Sequence, residues 1–210
     1  MQKVPFIKQP DDYSCALASY TMVGKYFFPE LSLQEVVKIT NWQKGKIVWP
    51  YRFWLYLVQK GVNVADYDLI DIKAWARFGE QGLKNSVLDL KEFEFYKKHS
   101  LDLNAEAKVI AELLKEKKFV YQKRRPTFDD LLHALDKKAI CEVTLNPYVL
   151  RGETGFMIHR VVVVGYASDK IVFHDPDNKR PQAYKKVDRN VFINAWLNGL
   201  DAPELAVYWR

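Results

Sequence analysis

The sequence predicts an α+β protein, with helices first and an antiparallel sheet closing the chain. Two observations carry this expectation. Up to about residue 137, apolar positions recur at helical spacing between recognisable caps and stops. From Ala139 onward the period falls to two. Segregated runs of helix and strand point to α+β rather than to alternating α/β units. With 210 residues, 49% of them hydrophobic, the chain is expected to form a single domain, 1–210, around a sizeable core.

The elements follow in order. Val4 to Ile7 is a short extended stretch, and Gln9-Pro10-Asp11-Asp12 reads as a turn. Ala16, Leu17, Ala18, Met22, Val23 and Tyr26 suit a helix that starts at Cys15 and ends near Phe28, before Pro29. Ser32 and Glu35 have the spacing of a capping box, opening a second helix through Ile39. Pro50 suits the first turn of a third, which runs to Gln59 and is stopped by Gly61. Asp71–Glu80, Asp89–His99 and Asn104–Lys118 make a strongly charged helical middle, so that 41–126 is expected to be a helical elaboration. Thr127 and Asp130 cap a further helix to Lys137. Ala139–Leu145 is then a strand, and Ile158–Tyr166 is the most β-branched run in the chain. A turn at Ala167–Lys170 leads into a paired strand, Ile171–His174. Gln182–Val187 is another candidate strand, Asp188 opens a short helix to Trp196, and Leu205–Trp209 is the last strand.

The net charge of +6 is spread along the chain, so no nucleic-acid role is expected, and the basic residues from Lys115 to Arg125 read as a solvated helix end and loop. Two cysteines do not make a disulfide framework. No segment approaches the length of an apolar membrane span. Residues 1–10 lack the basic-then-apolar pattern of a signal peptide, so a cytoplasmic location is expected, or a secreted one if a signal segment has been removed. His174, Asp175 and Asp177 lie close in sequence, but no metal-ligand spacing accompanies them, and neither metal nor cofactor is expected. The aromatics from Trp42 to Tyr56 read as core packing between helices rather than as the lining of a groove.

Four residues suggest chemistry. Cys15 stands where the first long helix begins, and there the unpaired N–H groups and the positive end of the dipole favour a thiolate. His159 heads a strand and shares a face with Val161 and Val163. Asp175 ends the paired strand on the face of Ile171 and Phe173. A hairpin turning at 167–170 brings the imidazole and the carboxylate to the same end. Gln9, six positions before Cys15, has a side-chain amide able to hold an oxyanion. Taken singly, each has a bland explanation: a buried small thiol, a structural histidine, an Asp-Pro turn, a surface glutamine. Cys141, in a β-branched strand, reads as an inert core thiol, and His99 and His133 have no visible partners.

Together these residues resemble a known family. The segment Val4-Pro-Phe-Ile-Lys-Gln9-Pro-Asp-Asp-Tyr-Ser-Cys15-Ala-Leu-Ala-Ser is similar to the nucleophile motif of the bacteriocin-processing (double-glycine leader) peptidases and their stand-alone relatives, within the papain-like cysteine peptidase superfamily. Ala139–Leu145, His159-Arg-Val-Val-Val-Val-Gly-Tyr and Ile171-Val-Phe-His-Asp175-Pro resemble that family's closing sheet, and Val191-Phe-Ile-Asn-Ala-Trp196 a helix that often follows it. Two departures stand out: Ala16-Leu17 replaces the Gly-Pro that often follows the cysteine, and the region between the two halves is longer and more helical.

The resemblance implies a papain-like fold, with the nucleophile at a helix N-terminus and the His and Asp on a C-terminal antiparallel sheet. It implies roles for Cys15 as nucleophile, His159 as general base, Asp175 as the residue that orients the base and Gln9 as the oxyanion-hole donor. The implied activity is that of a cysteine peptidase acting on a peptide or protein substrate through a thioester. An acyl or peptidyl transferase using the same residues, and a catalytically silent papain-like module that binds peptide or protein, are the alternatives.

Overall fold

The computed structural model describes residues 1–210. The chain is α+β, as the change of periodicity predicts, and its strands form one seven-stranded sheet. Helix α1 spans Cys15–Phe27, α2 Leu33–Thr40 and α3 Tyr51–Gln59. The Ser32 hydroxyl accepts from the Glu35 N–H at 3.2 Å and the Glu35 carboxylate accepts from the Ser32 N–H at 2.8 Å, completing the capping box that opens α2. The middle of the chain supplies β1 (Asn63–Asp68), α4 (Ile72–Phe78), α5 (Glu80–Lys84), α6 (Leu90–His99), α7 (Leu103–Leu113) and β2 (Phe119–Lys123). After α8 (Phe128–Asp136) come β3 (Ile140–Leu145), α9 (Pro147–Arg151), β4 (His159–Ala167), β5 (Lys170–Asp175) and β6 (Gln182–Asp188). Helix α10 (Arg189–Ile193) runs on into a π-helical turn, Asn194–Asn198, and β7 (Leu205–Trp209) ends the chain.

The strand order is β2-β1-β7-β3-β4-β5-β6. All neighbours are antiparallel except β1 and β2, which pair parallel. Strand β7 inserts between β1 and β3, so the C-terminus joins the middle of the chain to its closing strands. The expectation of helices first and strands last is corrected here, because β1 and β2 arise inside the charged middle. Strand β1 carries Asp66 and Asp68 as buried side chains, which breaks the apolar alternation by which strands are recognised. Strand β2 is a five-residue edge strand with Gln and Lys, the polar composition that edges require. Val4–Ile7 is extended but joins no ladder; Gln2 just before it donates its N–H to the Val164 carbonyl at 2.7 Å.

Helices cover both faces of the sheet, and two apolar cores result. One core gathers Leu17 and Tyr20 of α1, Phe53 and Trp54 of α3, Trp75 of α4 and Ile110 of α7 against Val64, Ile140, Val162, Val164 and Tyr208. The other packs Leu131 of α8, Phe192 and Trp196 against Cys141, Val143, Val161, Val163 and Phe173. Strands covered on both sides need no polar face, which explains the uninterrupted valines of β4 and the complete burial of β3. Trp49, Tyr51, Trp54 and Trp75 stack edge-to-face, and the Trp54 indole N–H donates to the Tyr208 hydroxyl at 2.8 Å, so the aromatic-rich segment is core. No helix is long and apolar enough to cross a membrane.

Candidate active site

The site lies where the start of α1 meets the ends of β4 and β5. The loop before α1 is shaped by local bonds. Asp11 accepts from the Tyr13 N–H at 2.9 Å through its carboxylate, and its carbonyl accepts from the Ser14 hydroxyl at 3.2 Å. The Gln9 N–H donates to the Pro176 carbonyl at 2.9 Å, tying this loop to the residue that follows Asp175. Deeper in, the Ser19 hydroxyl donates to the Arg160 carbonyl at 3.3 Å and holds α1 against β4. Cys15 is thereby set beside His159, each at the first position of its element.

His159 and Asp175 are buried, and Cys15 is half-buried. His159 Nε2 lies 2.9 Å from Asp175 Oδ1. The other ring nitrogen, Nδ1, is not used by Asp175, and the Cys15 thiol beside it and the imidazole each favour the other's charged form. Asp175 is held on both oxygens: Oδ1 also accepts from the Asp177 N–H at 3.2 Å, and Oδ2 accepts from Lys185 Nζ at 2.8 Å. On β5, Ile171, Phe173 and Asp175 share a face with Val161, Val163 and His159 of β4. A bulge between Val163 and Gly165 adjusts the hairpin register, and Gly165 there adopts φ 154°.

The electrostatics separate charge across the pair. Burial alone pushes the Cys15 thiol up, but the hydrogen bond and charge of His159, with the Arg160 backbone N–H and guanidinium, bring it below its ordinary value. Burial pulls the His159 imidazole down, yet its bonds to Asp175 and to the thiol carry it up to about 9. Burial raises the Asp175 carboxyl, and His159 and Lys185 reverse this, holding it at about 2. At neutral pH these directions favour a thiolate beside an imidazolium, with a carboxylate behind it.

Gln9 faces the same cleft and is buried. Its Nε2 donates to the Asp11 carbonyl at 2.6 Å, which orients the amide, and its Oε1 has no partner. The cleft, about 520 Å³, is also lined by Tyr13, Tyr148, Met157 and Ile158. The remaining histidines and the second cysteine lie elsewhere. His174 is on the opposite face of β5, where Nε2 meets the Val4 carbonyl at 2.9 Å and Nδ1 accepts from the Tyr184 N–H at 3.0 Å. Cys141 is sealed in the second core.

Two residues at the site escaped the sequence reading. Lys185 touches Asp175 from β6, and finding it requires the β5–β6 register, which a bulge between Phe173 and Asp175 interrupts. Arg160 contributes its backbone N–H to the thiol, and no side-chain pattern announces a backbone donor.

No protein-family model matches the chain, and no curated protein matches it in sequence. Among solved structures the chain is similar to a double-glycine motif protease from an AMS/PCAT transporter, determined in complex with the leader peptide. The TM-score is 0.49 at 15% identity, covering 99% of this chain and 93% of that one. It is similar also to a protein described as a C39-like peptidase from Bacillus anthracis, with a TM-score of 0.49 at 13% identity, covering 99% of this chain and 95% of that one.

Proposed function

We propose that this chain is a papain-like cysteine peptidase that cleaves a peptide or amide bond through a covalent thioester. The observation that carries this reading is the juxtaposition of Cys15 and His159 in the lining of one open cleft, with Asp175 bonded behind the imidazole. The thiol is depressed, the imidazole raised and the carboxyl depressed. The residues and spacing of the Gln9–Cys15 and His159–Asp175 segments, which resemble those of the double-glycine leader peptidases, support it.

In this reading the Cys15 thiolate attacks the substrate carbonyl carbon, and the C=O electron pair moves to oxygen. The Cys15 backbone N–H and the second Nε2 hydrogen of Gln9 stabilise that oxyanion, a contribution of about 3 kcal/mol per donor in comparable sites. As the tetrahedral intermediate collapses, the C–N bond breaks and His159 Nδ1 gives its proton to the departing amine. The now neutral imidazole takes a proton from water, whose oxygen attacks the thioester. The acid leaves and the thiolate–imidazolium pair is restored. Asp175 keeps the ring in place and stabilises its positive charge without itself taking the proton. The segment 41–126 is an elaboration that widens the sheet and builds a wall of the neighbouring surface.

The test is incubation of the protein with a peptide library followed by mass spectrometry, with Cys15→Ala as control. Products that depend on Cys15 are expected, along with a thioester adduct on Cys15 trapped by acid quench. Absence of both, with Cys15 no more reactive than an ordinary thiol, would contradict the reading.

A further inference from the structure

A second cavity, about 430 Å³, adjoins the cleft, and Ile158 lines both. Its rim and its floor have opposite characters. Leu88, Phe95, Phe156 and Ile158 are large apolar side chains left exposed, and all four gather at this cavity. Asp68, Asp89, Glu92, Asp201 and Glu204 place five carboxylates in the lining against one lysine, Lys91. The whole chain carries a net +6, so this cavity runs against the charge of the molecule. Of the five carboxylates only Glu204 has an ion pair, with Arg160.

The acidic floor is built into the sheet. Tyr67 pairs with Leu205, Val143 with Leu205 and Thr144 with Arg160, so Asp68, Glu204, Thr144 and Arg160 form one row across β1, β7, β3 and β4. Asp68 is only 7% exposed and forms no ion pair; its carboxylate accepts from the Ile70 N–H at 3.2 Å. Its neighbour on the same face, Asp66, is 2% exposed and leaves Oδ2 unbonded. Glu142 adds a further buried carboxylate, and Arg160 is the one cation whose charge acts on Asp66, Asp68 and Glu142, besides pairing with Glu204. A long aliphatic stem ending in a cation matches this surface, the stem on the apolar rim and the head among the carboxylates.

We propose that this cavity is a specificity pocket for a lysine or arginine side chain of the peptide substrate. The proposal rests on the peptidase reading of the Cys15 cleft. Three strand spacings of about 4.8 Å put Asp68 about 14 Å from Arg160, so an extended peptide rising about 3.3 Å per residue reaches it about four residues from the scissile bond. Burial pushes the Asp68 carboxyl up to about 7, and an arriving cation is met by a group that ionises to pair with it.

Binding to the Cys15→Ala protein tests this without requiring turnover. The probes are fluorescein-labelled, end-capped decapeptides of glycine and serine in which one lysine, or one norleucine, is scanned through the positions. Fluorescence anisotropy at low salt is expected to show the best lysine peptide binding about tenfold more tightly than its norleucine partner, a difference of about 1.4 kcal/mol. Asp68→Asn is expected to remove the preference. So is Asp201→Lys, which alters an exposed side chain that makes no ion pair or hydrogen bond, with an unchanged melting temperature as its check on folding. Equal affinity for lysine and norleucine, no binding of any lysine peptide, or a preference that survives both substitutions would overturn the proposal. Lysine preference without any cleavage by the unsubstituted protein would instead sink the peptidase reading and leave the pocket standing.

Discussion

The N-terminus of α1 and the interior of β3 each hold a cysteine, and the two thiols are chemically unlike. Cys15 opens a helix where α1 meets the end of β4, half-buried, beside an imidazole and a backbone N–H. Cys141 lies inside a strand covered on both faces, wholly buried among valines, with the buried Glu142 as its neighbour in sequence. Burial raises both thiols. At Cys15 a cation and hydrogen-bond donors reverse the effect; at Cys141 burial goes unopposed and a buried acid adds to it. Burial alone therefore does not silence a cysteine. What decides is whether the surroundings stabilise the thiolate, and in this fold only the junction of α1 with β4 does so.

The largest effect expected from this contrast is selective alkylation. At pH 6 an ordinary thiol is only about 0.3% thiolate, so a helix-end thiolate paired with imidazolium reacts about 100-fold faster or more. Iodoacetamide is expected to modify Cys15 and leave Cys141 untouched in the folded protein, as read by peptide mapping. Replacement of His159 by Ala is expected to bring Cys15 down to the ordinary rate. Equal labelling of both cysteines would break the comparison. In turnover, Cys15→Ala is expected to cost at least about 10⁴-fold and Cys141→Ala to leave kcat/KM unchanged, though with lowered stability from the lost packing.

The same contrast explains what could be read in advance. Cys15 before a helical period, His159 before a β-branched run and Asp175 after a two-residue hairpin turn each mark an element boundary. Boundaries of neighbouring elements meet at one end of a sheet. Cys141 inside Ile140–Leu145 reads as core for the same reason. Strand β1 was hidden because Asp66 and Asp68 point into the molecule, where a strand pattern expects apolar side chains. Strand β2 was hidden because an edge strand need not be apolar. Lys185 reaches Asp175 only through pairing across a bulge, and pairing between non-adjacent segments leaves no local mark in the sequence.

A smaller effect is expected from Asp175→Asn, which removes the charge behind the ring while keeping its shape. In comparable triads this costs about 10²- to 10⁴-fold in kcat. The accompanying pH signature has a definite sign. His159 is raised to about 9, so its proton, which the proposed mechanism gives to the leaving amine, is present at neutral pH and lost as pH climbs through about 9. The alkaline limb of kcat/KM is expected near that value and should move down in Asp175→Asn. The same shift gives a stabilising contribution that is complete below the ordinary histidine value of about 6.5 and disappears as pH rises through about 9. Asp175, lowered to about 2, contributes stability above the ordinary aspartate value of about 3.9 that disappears as pH falls through about 2. An alkaline limb unmoved by Asp175→Asn would separate His159 from Asp175 in function despite their contact.

The smallest expected effect concerns Lys185, which sharpens the comparison because it acts on the thiol only through two intermediaries. Its ammonium bonds Asp175 Oδ2, the oxygen His159 does not use, and its side chain is 22% exposed. A partly exposed ion pair of this kind is worth under about 1 kcal/mol, about fivefold in rate. Lys185→Met is therefore expected to lower kcat by up to that factor, with KM little changed and the alkaline limb shifted slightly down. Lys185→Arg is expected to restore both, since a guanidinium keeps the charge and the donor. A purely structural lysine would instead lower the melting temperature in the Met variant and leave the pH limb where it was. Measured together, the two profiles show whether the electrostatic support that distinguishes Cys15 from Cys141 ends at Asp175 or extends to β6.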